Sequence, residues 1–348
     1  MRILLVSPLP PPYGGIARWT ENYLRIIGAN NEIIVVDTSL GEDPTHSRIS
    51  ALWNQFKRTK RILRDTSKKL KNSYDVAHIN SSCRPIGIIR DWMCARKLYR
   101  NSIPFIFHCH CNVEDQLGKG RIARFFFGKT LRMVARVYVL NRTSERFCCQ
   151  FAPDKTKLCP NSIEERLISD AHQIRESINT VVYVGHLYAS KGIEAVIATA
   201  EKYPGISFRV VGKYNDRYNE NCNTENLVFV GEKNEAEVLE ELDNADLFLF
   251  PSHSEGFSIA LLEAMARGLP AIATDVGANR EMLEDKGGVI VECVSDDAID
   301  LSKLIDVNKR AEMSAWAIRT VKSKYAHAAV FGNIEHDYKA ILRNGTIK

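Results

Sequence analysis

No stretch of this sequence reaches the ~18 continuous apolar residues of a membrane-spanning helix. Its start, "MRILLVSPLPPPYGG", holds a short apolar run broken by prolines and lacks the pattern of a secretory leader. That run reads as a first strand, and cytoplasmic residence is the expectation. Cysteine is sparse and scattered: nine residues among 348, close together only at Cys109/Cys111 and Cys148/Cys149. This argues against a disulfide scaffold and for reduced, mostly buried thiols. No second Cys-x-x-Cys or His-x-x-x-His accompanies the "HCHC" of His108 to Cys111. On a strand its histidines and cysteines face opposite ways, so a structural zinc site is not expected. Internal repeats and low-complexity linkers are also missing.

What is present is an ordinary globular composition, 45% hydrophobic and 26% charged, over a length that suggests two domains. The net charge of +5 is unevenly spread. Residues 1–160 hold 27 Lys and Arg against 12 Asp and Glu, a balance of +15; residues 161–348 hold 20 against 30, a balance of −10. A basic half joined to an acidic half suggests that the first meets something anionic: a phosphate ligand, a membrane surface or nucleic acid. No nucleic-acid-binding motif accompanies the charge, and nucleic acid is not expected as a partner.

Short, bulky, nearly all-apolar runs recur in the first half: "RILLVS" (2–7), "EIIVVDT" (32–38), "DVAHIN" (75–80), "PFIFHCH" (104–110) and "RVYVLN" (136–141). Longer amphipathic segments separate them. Continuous apolar strands between helices predict a parallel sheet covered on both faces. The pattern restarts at "TVVYVGH" (180–186) and continues through "SFRVVGK" (207–213), "LVFVGE" (227–232), "ADLFLFPS" (245–252), "PAIATDVG" (270–277) and "GGVIVEC" (287–293). Two doubly wound, Rossmann-like α/β domains facing each other across a cleft are expected, over 1–165 and 166–326. A final helix over about 327–348 is expected to pack back on the first.

Open α/β sheets bind ligands beyond the carboxyl ends of their strands, so the loops after each strand carry the information. After the first strand, three prolines precede Gly14 and Gly15 at a helix start. The glycines either let backbone N–H groups approach an anion or simply make a tight turn. His108 and His110 end the fourth strand on one face, as ligand-facing or as satisfied core residues. After "TVVYVGH", Lys191 and Gly192 open a helix. A cation there opposes the helix dipole, which points to an anionic partner; a flexible surface lysine is the alternative.

The fourth loop belongs to "PSHSEGFSIALLEAMARGLPAIAT" (251–274). Glu255 precedes the free N–H groups of Ser258, Ile259 and Ala260 at a helix start, and Glu263 lies eight positions after Glu255, inside the helix. The two acids bracket a phosphate-sized position. The plainer reading makes Glu255 a cap and Glu263 a solvated residue. The apolar "IALLEAMA" around Glu263 weakens it, since a charge there without a partner is costly.

Together these residues resemble the retaining GT-B glycosyltransferases of family 4, over essentially the whole chain. "EGFSIALLEAMARGLPAIATDVGANREML" is similar to that family's Glu-x7-Glu segment, "YVGHLYASKGIEAVI" to its Gly-Arg…Lys-Gly segment and "PPPYGGIARWTENYL" to its Gly-Gly loop. The resemblance implies a sugar nucleotide with its base and diphosphate on the second domain, and an acceptor entering from the first. It implies that Glu263 holds the ribose hydroxyls and that Glu255 contacts the transferred sugar. Lys191 would neutralise the diphosphate with the N–H groups of Ser258 and Ile259. Gly15 would let its loop close over the donor, and His110, with His108 as the fallback, would face the reacting sugar.

Two departures stand out. His186 stands where the family usually has arginine, which grips a diphosphate bidentately and stays charged. Ser258 stands where glycine or proline is more usual. No DxD-like acidic motif occurs in a suitable loop, and neither metal nor cofactor is expected. The substrate implied is a nucleotide-diphosphate sugar, UDP- rather than GDP-linked. The acceptor implied is a glycan or a polyprenyl-diphosphate-linked saccharide of bacterial surface polysaccharide synthesis, O-antigen or capsule. Retention without an enzymic nucleophile implies attack on the face that the diphosphate leaves. The competing readings are another GT-B sugar-nucleotide enzyme, an epimerase or phosphorylase, and a non-catalytic nucleotide-sugar binder.

One segment falls outside that scheme. "GRIARFFFGKTLRMVARVYVL" (120–140) reads as a helix up to a closing strand. At 100° per residue Arg121, Arg124, Lys129, Arg132 and Arg136 share an arc with Phe125 among them, while Ile122, Phe126, Phe127, Met133 and Val134 face the sheet. With the basic run "KRTKRILRDTSKKLK" (57–71), it predicts contact with an anionic membrane surface, on the inner face of the cytoplasmic membrane.

Overall fold

The computed structural model describes residues 1–12, 14–39, 48–213, 224–292 and 297–343, with backbone only at 48–52. It divides into two units, Met1–Pro160 with Phe331–Lys348, and Asn161–Val330.

The sheet of the first unit contains β1 (Arg2–Ser7), β2 (Glu32–Asp37), β3 (Val76–Ser81), β4 (Phe105–Cys109), β5 (Arg136–Val139) and β6 (Thr156–Leu158). All pairs are parallel and the order is β2-β1-β3-β4-β5-β6. Every residue of β3 and β4 is buried, because helices cover both faces. Hence these strands read as unbroken apolar runs rather than as alternating ones. The helices are α1 (Gly15–Ile26), α2 (Arg48–Lys69), α3 (Pro85–Arg100), α4 (Val113–Leu117), α5 (Arg121–Met133) and α6 (Arg142–Cys149). Right-handed crossovers put α2, α3 and α5 on one face, where they pack in series, and α1 on the other. The edge strand β6 has no signal in the sequence: Thr-Lys-Leu is only half-buried and contains no apolar run.

The inner face of α5 is made by Ala123, Phe127, Thr130 and Leu131. This corrects the helical arc read from the sequence. Ile122 and Phe126 each fall about 100° from that face. Phe126 is covered by Trp92 of α3, ring to ring at 4.7 Å, whereas Ile122 is exposed. Arg124 turns back to Gly118 O at 2.9 Å, and Arg136 lies on β5, 3.9 Å from Asp337, so neither belongs to an open basic stripe.

The second unit's sheet contains β7 (Thr180–Val184), β8 (Ser207–Val211), β9 (Leu227–Gly231), β10 (Leu247–Phe250), β11 (Ala271–Thr274) and β12 (Gly288–Val291). It too is parallel, in the order β12-β11-β10-β7-β8-β9. Its helices are α7 (Ile193–Lys202), α8 (Glu235–Asn244), α9 (Ile259–Ala266), α10 (Asn279–Leu283) and α11 (Val307–Thr320). The last helix, α12 (His327–Arg343), belongs to the first unit from Phe331 onward. There Tyr338 Oη meets Tyr23 Oη at 2.7 Å, and Asp337 accepts from Tyr138 at 2.6 Å and Lys157 at 2.8 Å. Residues 344–348 of the expected final helix, and Cys293 at the end of its expected strand, lie outside the described residues.

Each strand order fixes one point where the chain reverses its direction of travel across the sheet. In the first unit it lies between β1 and β3, in the second between β7 and β10. In open parallel sheets ligands settle beyond the strand ends at such points.

Candidate functional site

The loops that follow β7 and β10 meet at the second unit's reversal point, and an ion pair joins them. Lys191 Nζ donates to Glu255 Oε1 at 2.6 Å, and Ser252 Oγ donates to the same oxygen at 2.9 Å. Ala189–Lys191 is a single 3-10 turn, and Gly192 ends it in the left-handed region at φ +74° before α7 begins. A Cβ on Gly192 would lie 2.0 Å from Pro251 O, so only glycine lets the two loops close backbone to backbone. His253 N donates to Ser190 O at 3.1 Å and completes that seam.

A third loop, after β11, braces the carboxylate's backbone. Gly277 has φ +57°, and a Cβ there would lie 2.5 Å from Glu255 O. Thr274 Oγ1 donates to Ser252 O. Glu255 is therefore held by its own loop, by Lys191 and by the β11 loop.

Three residues after Glu255, Ser258 caps α9 by accepting from Leu261 N at 3.1 Å. The bare N–H groups of Ile259 and Ala260 have no partner among the described residues. With its positive dipole end, this helix start is suited to an anion. Glu263 is half-buried on α9, about 7.5 Å along the axis from Ser258. The structure thus pairs Lys191 with Glu255, and Ser258 and Ile259 follow Glu255 by three and four residues at the helix start. His186 makes no side-chain hydrogen bond or ion pair among the described residues. It is exposed, its ring stacked on Tyr188 at 5.6 Å, and only its carbonyl serves the loop, accepting from Tyr183 Oη at 3.0 Å.

A hydrogen-bonded chain crosses the first unit's reversal point. Thr20 Oγ1 and Ser7 Oγ lie 2.5 Å apart, Asn80 Nδ2 donates to Ser7 Oγ at 2.8 Å, and Asn80 Oδ1 lies 2.9 Å from His110 Nε2. Because the Asn80 amide donates to Ser7, its oxygen must accept from His110, which places the imidazole proton on Nε2 and the lone pair on Nδ1. Burial pushes the pKa of His110 down to about 3, so the ring is neutral at pH 7. Trp19 packs on it edge-on, 5.1 Å between centroids.

His108 is a core residue instead. It is fully buried, with Nδ1 3.3 Å from His78 Nε2, and His78 Nδ1 lies 2.6 Å from Tyr338 Oη. Of the two strand-end histidines, only His110 is accessible. Gly15 is the first residue of α1, and a Cβ on Gly14 or Gly15 would meet nothing within 4 Å. Packing does not require glycine at either place.

Sequence reasoning missed Ser252, Thr274, Gly277 and Asn80. Gly277 carried a usable signal, a glycine three residues past a buried strand. The others become meaningful only once strand order is known. Among the described residues, no group of three or more His, Cys, Asp and Glu side chains could hold a metal ion, and no helix is long and apolar enough to cross a membrane.

Residues 164–320 match the family described as Glycosyl transferases group 1. The capsular polysaccharide biosynthesis glycosyltransferase CapM of Staphylococcus aureus is 27% identical over 203 residues, 55% of this chain and 52% of that protein. The chain thus spans about half the length of that relative. Sucrose-phosphate synthase from Thermosynechococcus elongatus shares the fold with a TM-score of 0.78 at 16% identity, over 99% of this chain and 100% of its own. Anabaena HepE, solved in complex with UDP-glucose, superposes with a TM-score of 0.72 at 15% identity, over 98% and 100%.

Proposed function

From the match of residues 164–320 to the group 1 glycosyl transferases, we propose that this chain is a member of that family, a retaining GT-B glycosyltransferase using a UDP-sugar. The transferred group is a hexose or N-acetylhexosamine. The acceptor is a glycan or a polyprenyl-diphosphate-linked saccharide of surface polysaccharide synthesis. The uridine carrier is supported by the UDP-glucose complex of HepE, and the polysaccharide setting by CapM. The observation that carries the reading is the Lys191–Glu255 pair at the β7/β10 reversal point, beside the bare N–H groups of α9.

The chemistry follows from those groups. As the bond from the sugar's anomeric carbon to phosphate breaks, negative charge grows on the phosphate oxygens. Lys191 and the N–H groups of Ile259 and Ala260 are fixed donors for that charge, and donors held in place in this way usually lower the barrier more than any other single effect. The diphosphate competes with Glu255 for the Lys191 ammonium. Glu255 then has acceptor capacity for a sugar hydroxyl, with Ser252 still orienting it. Glu263, further along α9, takes the ribose hydroxyls. His186, exposed in the β7 loop, covers the diphosphate less strongly than an arginine would.

The acceptor hydroxyl attacks the face that the diphosphate leaves. Its oxygen bonds to the anomeric carbon, the bond to phosphate breaks, and the proton passes to the departing phosphate oxygen. In the first unit, neutral His110 presents Nδ1 as a lone-pair atom able to accept a hydrogen bond from a hydroxyl of the acceptor saccharide. The test begins with a screen of sugar nucleotides for a raised melting temperature, since a ligand of the native state stabilises it. The stabilising donor is then incubated with lipid-linked and free saccharide acceptors. A product whose anomeric configuration, read by NMR, matches the donor's is expected. An inverted product, or an altered donor sugar with no transfer, contradicts the reading.

A further inference from the structure

Between α3 and α5 of the first unit runs a groove of about 580 Å³. Trp92, Tyr99, Phe125 and Phe126 give it an aromatic lining, and Arg96, Arg100, Lys129 and Arg132 supply its charge; no acidic residue lines it. None of those four cations has an ion-pair partner among the described residues. Their neighbours are rings instead: Arg96 lies over Trp92 at 5.6 Å and Lys129 over Phe125 at 5.4 Å. Phe125 is 58% exposed and Ile122, one turn back on α5, 69%.

The pattern repeats on α2, which packs on the same face. There Trp53 and Phe56 stack at 5.8 Å on the surface, with Lys57 over the Trp53 ring at 5.7 Å. Three neighbouring helices thus each present exposed aromatic surface with cations beside it. Single exposed apolar residues need no explanation, but a set of them on one face with unpaired cations does.

We propose that this face of the first unit docks on a bilayer containing anionic phospholipid. The four cations of the groove take lipid phosphates, while Phe125, Ile122 and the α2 aromatics enter the boundary between headgroups and acyl chains. Free phosphate would use the cations and leave the exposed rings without a role. A second copy of the chain placed face to face would bring the two sets of cations together. Single-stranded nucleic acid needs open ring faces for its bases. The Trp92 ring is already taken by Phe126 and Arg96, and Ile122 offers no stacking surface. Docking needs no donor and stands apart from the transferase reading.

The test is sedimentation of the full chain, without nucleotide, on phosphatidylcholine vesicles with and without phosphatidylglycerol. Binding is expected only with the anionic lipid, and it weakens as salt is raised. A cation near such a surface is worth about fivefold in affinity. Arg96→Gln with Arg100→Gln, Lys129→Gln and Arg132→Gln therefore weakens partitioning by nearly three orders of magnitude, about 600-fold. Phe125→Ser with Ile122→Ser removes the part of the binding that survives high salt. All six side chains are at the surface, so the variants keep the wild-type melting temperature, and each is checked for it. Equal binding to neutral vesicles, or wild-type binding by the fourfold variant, overturns the proposal. So does a single-stranded RNA that binds more tightly than vesicles and is lost in the same variants, which would assign the face to nucleic acid.

Discussion

Two glycines separate what the fold needs from what a ligand would need. Gly192 is fixed by its left-handed backbone and by Pro251 O, so Gly192→Ala should cost more than about 1 kcal/mol and visibly lower the melting temperature. Gly15 faces open space. Gly15→Ala should therefore melt like wild type, and a clearly lowered melting temperature would show that packing does need glycine there. His186 gives a third test. With its side chain exposed and bound only to Tyr188, an arginine has room, and His186→Arg should hold or improve donor affinity in a titration. Lower affinity would mean that another cation already fills the role.

The histidines make a prediction about pH. Burial lowers the pKa of His78 and of His110 to about 3, and that of His108 well below its ordinary value. The unfolded chain takes up protons near pH 6.5 that the folded chain refuses. Stability is thus fully present above about pH 6.5 and is lost as pH falls toward 3. Each histidine adds a slope of up to about 1.4 kcal/mol per pH unit. Urea unfolding at pH 7 and pH 5 reads that slope. His78→Gln should flatten it by about one proton, and an unchanged slope would show that His78 is not the buried neutral group described here.

At the scale of elements, α9 is the part on which the site depends. Its cap is the Ser258 side chain, so Ser258→Ala should cost about 1 kcal/mol, whereas Ser258→Gly should cost a few tenths; equal losses in thermal melts would contradict the capping role. Eleven of the twelve strands among the described residues were legible in the sequence, because strands buried on both faces write themselves as apolar runs. β6 was not, since three residues at a sheet edge have too little to bury. The orientation of α5 was only partly legible: Phe127 points inward as read, but the cover for Phe126 comes from Trp92 of another helix, which no periodicity reports. Lys191, Glu255 and Ser258 could be read from their places after strands and before helices. Their convergence could not, because it depends on β10 lying next to β7 rather than on the far side of β9.

At the scale of the molecule, the chain builds two parallel sheets with different strand orders, and each has polar groups gathered at its own reversal point. Under the proposed function, the second of these points holds a nucleotide diphosphate at Lys191 and its sugar at Glu255. This is tested most directly by titrating UDP and the matching UDP-sugar into wild type, Lys191→Ala and Glu255→Gln, with melting temperature as the check on folding. Lys191→Ala should weaken both ligands by about 10- to 100-fold, the worth of one hydrogen bond to a charged group. Glu255→Gln should bind UDP much as wild type does and lose the extra affinity for the sugar. Wild-type affinity for UDP in Lys191→Ala, or an undiminished preference for the UDP-sugar in Glu255→Gln, would contradict the account.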